Sequence, residues 1–249
     1  MVESRLSARF PKKAHTVRRN PLRKLLATLR WRLRNRFYLT YGFRGTAPIN
    51  PGYGYGLGTV IDRYYEHVFL EDTRPLIRGH VLEVGDRKST DRFGSSVSGV
   101  DVLNPVPGPG IDIVADLTSC PQVPDDTYDC VLLTEVIHVI LDMEAAISEV
   151  YRILKPGGSV IVTIAGIAQV NRGAMEEYGD RWRVTSLSAG ELFATRFPVR
   201  NITVRTYGNA HTACCYMQGI PAERVKASRL DLWESDYQLI VAVVATKPS

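Results

Sequence analysis

The chain has 249 residues, 45% of them hydrophobic, with 31 Lys and Arg against 26 Asp and Glu, a size and composition that suit one well-buried α/β domain plus an appendage. Residues 1–44 hold 13 of the basic side chains and one acid, Glu3, leaving 18 basic and 25 acidic residues in the rest, and an acidic body excludes a nucleic-acid surface spread across it. No apolar run approaches the ~20 residues of a membrane span, and Cys120, Cys130, Cys214 and Cys215 form no C-x-x-C pair, so free thiols in a reducing cytoplasm are expected.

In chain order, residues 1–20 are polar and basic and lack the apolar core of a secretory signal. Leu22, Leu25, Leu26, Leu29, Leu33 and Phe37 recur at helical spacing among arginines, which predicts a basic amphipathic helix over 21–39. Such a helix can lie on an anionic membrane surface, or pack on the body or a second subunit in a homodimer. Residues 50–58, Asn-Pro-Gly-Tyr-Gly-Tyr-Gly-Leu-Gly, are too glycine-rich for helix or strand. They read as a linker, or as a flap that brings Tyr53 or Tyr55 to a substrate. A basic arm with its linker is therefore expected over 1–58, and the main domain over 59–249.

That domain opens with a helix at 59–77, then alternates strand and helix. Strands are predicted near 80–85, 97–103, 111–115, 128–134 and 158–165, with a helix at 142–154 stopped by Lys155-Pro156-Gly157-Gly158. A helical stretch follows Gly166, then a strand near 199–206 and a last one at 237–246, whose Leu239 to Val244 run is of the fully buried kind. The pattern predicts a Rossmann-like, doubly wound and mostly parallel seven-stranded sheet with a basic N-terminal extension.

In such a sheet ligands bind at the carboxyl ends of the strands, and here those ends are polar. Val81-Leu82-Glu83-Val84-Gly85 closes the first strand, and Asp101 lies 18 residues after Glu83, near the offset at which a carboxylate meets a ribose. Asp116-Leu117 ends the third, suited to an adenine amino group and ring face, and Thr134-Glu135 ends the fourth. The turn after Gly85 runs Asp86-Arg87-Lys88-Ser89 in place of further glycines, so a dinucleotide, whose pyrophosphate needs the full G-x-G-x-x-G, is disfavoured. S-adenosylmethionine has a nucleoside and no phosphate, and fits these ends.

Residues 59–248 resemble a class I S-adenosylmethionine-dependent methyltransferase, which implies an antiparallel C-terminal strand in the sheet. Val81–Gly85, Asp129–Glu135 and Ile147–Thr163 are similar to the broad methyltransferase-11 type. Asp62-Arg63-Tyr64-Tyr65, Gly179-Asp180-Arg181-Trp182-Arg183-Val184-Thr185, Tyr207-Gly208-Asn209 and Asp236-Tyr237-Gln238-Leu239-Ile240 are similar to a bacterial subgroup associated with glycosyltransferases and polysaccharide assembly. The resemblance implies that Glu83, Gly85, Asp101, Asp116 and Leu117 hold the cofactor, with Tyr64 or Tyr65 near its amino-acid end. The shortened glycine motif departs from the family and leaves the contacts of Asp86 open.

Methyl transfer from a sulfonium needs alignment above all, but a sugar hydroxyl also needs a base or a metal to take its proton. His138, just past the fourth strand, is the first candidate beside Glu135, and His211 the second; the alternative for His138 is a His packed under the next helix. Asp180, Arg181, Trp182 and Arg183 suit a sugar, with an apolar ring face and charged hydrogen-bonding groups, or form an ion pair beside a core Trp. Glu135, Asp142 and Glu144 could hold a magnesium ion, or cap the following helix. The function expected is O-methylation of a sugar or oligosaccharide hydroxyl, as in mannoside or glucoside polymers, by a cytoplasmic enzyme whose arm docks at the inner membrane face or on a protein. Alternatives are a nucleic-acid or natural-product methyltransferase, and a non-catalytic module that keeps the fold.

Overall fold

The structure, a computed structural model, describes residues 46–249. The helix predicted over 21–39, and the basic arm with its membrane or subunit contacts, lie outside the described residues. Among the described residues no helix is long and apolar enough to cross a membrane.

A seven-stranded sheet organises the described chain. Its strands are β1 (Gly79–Val84), β2 (Val97–Asn104), β3 (Ile113–Val114), β4 (Tyr128–Thr134), β5 (Leu154–Ala165), β6 (Ile202–Tyr207) and β7 (Ile240–Thr246). They lie in the order β3-β2-β1-β4-β5-β7-β6. Neighbours pair in parallel from β3 through to β5, and β7 runs antiparallel to both β5 and β6, as expected. The order reverses between β1 and β4, and the crevice of an open sheet forms at such a switch point.

β4 shows why the sheet is covered on both faces. Alternate side chains point to opposite faces of a strand, so Val131 and Leu133 join one apolar cluster while Cys130 and Leu132 join the other. The first cluster is closed by α3 (Met143–Ile153) and α5 (Ser186–Ala194) through Ile147, Val150, Ile153 and Phe193. The second is closed by α1 (Ile61–Thr73) and α6 (Ala210–Met217) through Ile61, Tyr65, Phe69 and Tyr216. Burial of each such large side chain stabilises by ~1.5–3 kcal/mol. Three shorter helices complete the set: α2 (Lys88–Phe93), α4 (Arg172–Glu177) and α7 (Ala227–Leu230).

Element boundaries move for identifiable reasons. Helix α1 ends at Thr73 and continues as a 3-10 turn over Arg74–Leu76, because Pro75 has no N–H to donate. Helix α3 stops at Ile153, and Leu154 is already extended. Lys155 to Gly158 therefore lie within β5, across a register shift against β4. Only Ile113 and Val114 of the predicted third strand join the ladder. The glycine-rich stretch is packed: the Asn50 N–H donates to the Gln218 carbonyl at 3.0 Å, and Thr59 Oγ1 donates to Glu223 at 2.7 Å. Cys120, Cys130 and Cys215 are buried free thiols and Cys214 is an exposed one.

Candidate active site

A cleft of about 1170 Å³ opens over the carboxyl ends of β1, β2 and β4. Glu83, at its floor, is buried. Its two carboxylate oxygens accept the Ser89 and Thr90 N–H groups at 2.9 and 2.8 Å, which caps α2 and fixes the turn that begins at Gly85. Burial raises the pKa of Glu83, opposed by those bonds. Gly85 itself has φ +101°, and a Cβ built there meets no atom within 4 Å. A side chain at this position would be strained and would project into open cleft. Asp86 lines the cleft and accepts the Lys88 N–H at 2.9 Å.

Asp116 and Leu117 line the far end. The Asp116 carboxylate accepts Thr118 N–H and hydroxyl bonds at 2.8 Å. Thr134 and Glu135 line the near end. Glu135 has φ +56°, a left-handed conformation that costs a non-glycine residue roughly 1–2 kcal/mol and that concentrates at functional sites. It is held there by Thr163, whose carbonyl and hydroxyl oxygens both accept the Glu135 N–H, at 3.0 and 3.1 Å. Burial, with Asp62 and Glu66 nearby, pushes the Glu135 carboxyl up to about 8.

Several sequence-based assignments change. Asp101 does not line the cleft: it pairs with Leu82 in mid-strand, and its carboxylate accepts the Tyr128 hydroxyl at 2.8 Å and meets His80 Nε2 at 2.9 Å. Strand β2 runs three residues further, so Asn104 stands at its end and lines the cleft. Tyr65 belongs to the core, with its hydroxyl donating to the Leu230 carbonyl at 3.0 Å and its ring stacked on Tyr207. It shares a helix face with Ile61 and Phe69, whereas Asp62 and Glu66, four apart, line the cleft with Arg63. Tyr64 likewise points away, to Asp231. His211 is exposed on α6, 3.1 Å from Arg229 and outside the cleft lining. Trp182 is not part of the lining; its indole N–H donates to the Ile140 carbonyl at 2.9 Å. Asp142 caps α3 by accepting the Ala145 N–H at 2.9 Å, and Glu144 is exposed on that helix. No group of three His, Cys, Asp or Glu suited to a metal converges among the described residues.

The cleft does bring together Tyr53, Glu135, His138, Asp180, Arg181 and Arg183. Tyr53 leans on Tyr216 at 5.9 Å and Tyr55 at 6.2 Å between ring centroids, and the Tyr216 hydroxyl donates to Asp62 at 3.0 Å. Arg63 bonds Glu66 at 2.7 and 2.8 Å, so one cation faces Asp62, Glu66 and Glu135. Arg183 forks onto Asp180 at 2.6 and 2.7 Å and holds that carboxyl below its usual range. Burial drops the His138 imidazole to about 4, so it is neutral at physiological pH. Among the described residues, Tyr53 Oη, Glu135 Oε1 and His138 Nδ1 are buried polar atoms without a hydrogen-bond partner. Three such atoms on one cleft, with an open glycine position and an excess of carboxylates, fit a cationic nucleoside and a second polar molecule.

Residues 90–162, from within α2 to within β5, match the family model described as a methyltransferase domain. Over that segment the chain is similar to methyltransferases. Its fold is similar to that of Haemonchus contortus phosphoethanolamine N-methyltransferase 2, solved with S-adenosyl-L-methionine, at a TM-score of 0.50 and 16% identity over 86% of this chain and 56% of that one. An S-adenosylmethionine-dependent methyltransferase of Archaeoglobus fulgidus gives 0.48 at 12% identity, over 76% of this chain and 93% of that one. A Thermotoga maritima methyltransferase gives 0.49 at 18%, over 75% and 91%. The search of curated proteins finds no match. The cleft residues that the sequence does not single out are Asn104, Asp62, Arg63, Glu66 and Tyr216. The i, i+4 pair Asp62/Glu66 beside the apolar Ile61/Tyr65/Phe69 stripe was the one signal in the sequence for part of them.

Proposed function

We propose that the enzyme transfers a methyl group to a hydroxyl of a sugar or oligosaccharide. The observation that carries this reading is the set of unpartnered polar atoms on Tyr53, Glu135 and His138 beside the tyrosine wall of the same cleft. Tyrosine rings offer flat apolar faces to a pyranose, and the polar atoms offer hydrogen bonds to its hydroxyls. Asp62, Glu66, Asp116 and Asp180 around the cleft disfavour a polyanion such as nucleic acid.

S-adenosylmethionine, when bound, supplies an electrophilic methyl on a sulfonium. In this reading Gly85 gives it room, Asn104 and Asp116 meet the ribose and adenine edges, and Leu117 packs on the ring. Thr134, Asp62 and Glu66 face its cationic amino-acid end. Glu135 and His138 take the acceptor proton, while Arg181 and Arg183 with Tyr53 orient the acceptor. We place the enzyme in the cytoplasm, with the basic arm at the inner membrane face or on a partner. Incubation with methyl-labelled cofactor and a panel of oligosaccharides tests it. Label in a base-stable sugar ether is expected, and label only in amines or RNA would overturn the acceptor class.

A further inference from the structure

His138 sits on the 3-10 turn Ile137–Val139 and is 7% exposed. One carboxylate faces each of its ring nitrogens. Nε2 lies 3.9 Å from Asp180 Oδ1, and Nδ1, which has no partner, lies 3.9 Å from Glu135 Oε2. The two carboxylates are not equivalent. Asp180 is fixed: beyond the Arg183 fork, it accepts the Asn171 N–H at 2.8 Å, and its side chain is 1% exposed. The His138 carbonyl accepts the Arg181 and Trp182 N–H groups at 3.1 and 3.0 Å, so the turn and the Asp180 segment move as one piece. Glu135 is the more exposed, at 18% against 8% for the His138 side chain, and its Oε1 is buried without a partner beside the cleft.

We propose that Asp180 is a positioning residue, which holds His138 with its proton on Nε2 so that Nδ1 is the final proton acceptor behind Glu135. This deepens, and rests on, the methyl-transfer reading of the same cleft. The acceptor O–H proton passes to Glu135 Oε1 as the Oε2 proton of Glu135 passes to His138 Nδ1. The acceptor oxygen's electron pair makes the new O–CH₃ bond, and the pair of the broken S–CH₃ bond stays on sulfur. Glu135 ends neutral, as it began, and the imidazolium lies against the Asp180 carboxylate until it loses its proton to water. The charges around the string fit these states. Asp62 and Glu66 outweigh Arg63 beside Glu135 and favour its protonated form. Asp180 opposes, and Arg183 reinforces, the burial that keeps His138 neutral. Asp180 thus takes a role other than gripping a sugar. An unperturbed solvent-exposed histidine at this point would already be partly protonated near pH 6.5.

The test is imidazole ¹⁵N NMR on the full chain, saturated with the demethylated cofactor product, with the His138 signals assigned by their loss in His138→Gln. Wild type is expected to show the Nε2-protonated neutral tautomer down to about pH 5, and Asp180→Asn to lose it. A purely structural Asp180 would leave the tautomer unmoved in the variant, and either that result or an Nδ1-protonated wild type would overturn the proposal. The wild-type spectrum decides even if Asp180→Asn does not fold. Calorimetric binding of the product on the same sample separates the two levels. Failure to bind would sink the methyl-transfer reading, whereas binding with the wrong tautomer would sink only the positioning role.

Discussion

At the residue scale, Gly85 and Glu135 are held in backbone conformations that ordinary residues avoid, at φ +101° and +56°, and both face the cleft. Gly85→Val should cost stability through strain and weaken cofactor binding by more than about tenfold, the equivalent of ~1.4 kcal/mol, because the added side chain enters open cleft; calorimetry reads the binding and a thermal melt the stability. Glu135 makes a pH prediction. Its carboxyl titrates at about 8 in the folded protein against an ordinary value of 4.5. Folding therefore holds an extra proton between those values, and the stability it gives is complete below pH 4.5 and lost as pH rises through 8. His138 has the opposite sign: lowered to about 4 from 6.5, it contributes stability that is present above pH 6.5 and lost as pH falls toward 4. In melts of the protein without ligand, Glu135→Gln should flatten the decline of Tm as pH rises from 4.5 to about 8, and His138→Gln the decline as pH falls from 6.5 to about 4. Each kcal/mol moves Tm by roughly 2–4 °C in a chain of this size. An unchanged pH slope in either variant would contradict the burial-driven shifts.

At the scale of elements, strands were more legible than the residues at their ends. The β4 run Tyr128–Thr134 was read with its observed limits because its β-branched and apolar residues leave no competing pattern. Asp101 was misassigned because a carboxylate inside a strand looks like the carboxylate that ends one. The strand predicted near 97–103 already contains Asp101, and the pairing of Leu82 with Asp101 and Val84 with Leu103 confirms that Asp101 lies in mid-strand and that Asn104 ends β2. On α1, the resemblance points to Tyr64 or Tyr65, while the three- and four-residue spacing with Ile61 and Phe69 places Tyr65 in the core. The His211 error is similar: α6 begins at a buried Asn209, which accepts the Thr212 N–H at 3.0 Å and donates to the Arg229 and Leu232 carbonyls at 2.6 Å. This cap, not a catalytic His, explains the Asn209-Ala210-His211 sequence. Asn209→Ala should cost about 1–3 kcal/mol in denaturant unfolding, through the lost cap and two buried carbonyls left without a donor. A loss below ~0.5 kcal/mol would contradict that role.

At the scale of the whole molecule, the seven-stranded, mostly parallel sheet with its antiparallel C-terminal strand and the cleft at the strands' carboxyl ends match the expectation from the sequence, whereas the strand order comes from the structure. What could not be read is which polar side chains converge, since α1, β4, β5, α6 and the 180–183 segment meet through packing between residues distant in sequence, as between Glu66 and Thr163, 97 positions apart, or Tyr216 and Asp62, 154 apart. The central claim is that this convergence, at the carboxyl ends of β1, β2 and β4, forms the S-adenosylmethionine site. Calorimetric titration with S-adenosylmethionine and its demethylated product tests it most directly, on wild type, Asn104→Ala and Asp101→Ala. Saturable binding by wild type, weakened about tenfold by Asn104→Ala and little altered by Asp101→Ala, is the predicted result. A folded wild type that binds neither molecule, or an Asp101→Ala variant weakened more than Asn104→Ala, would contradict it.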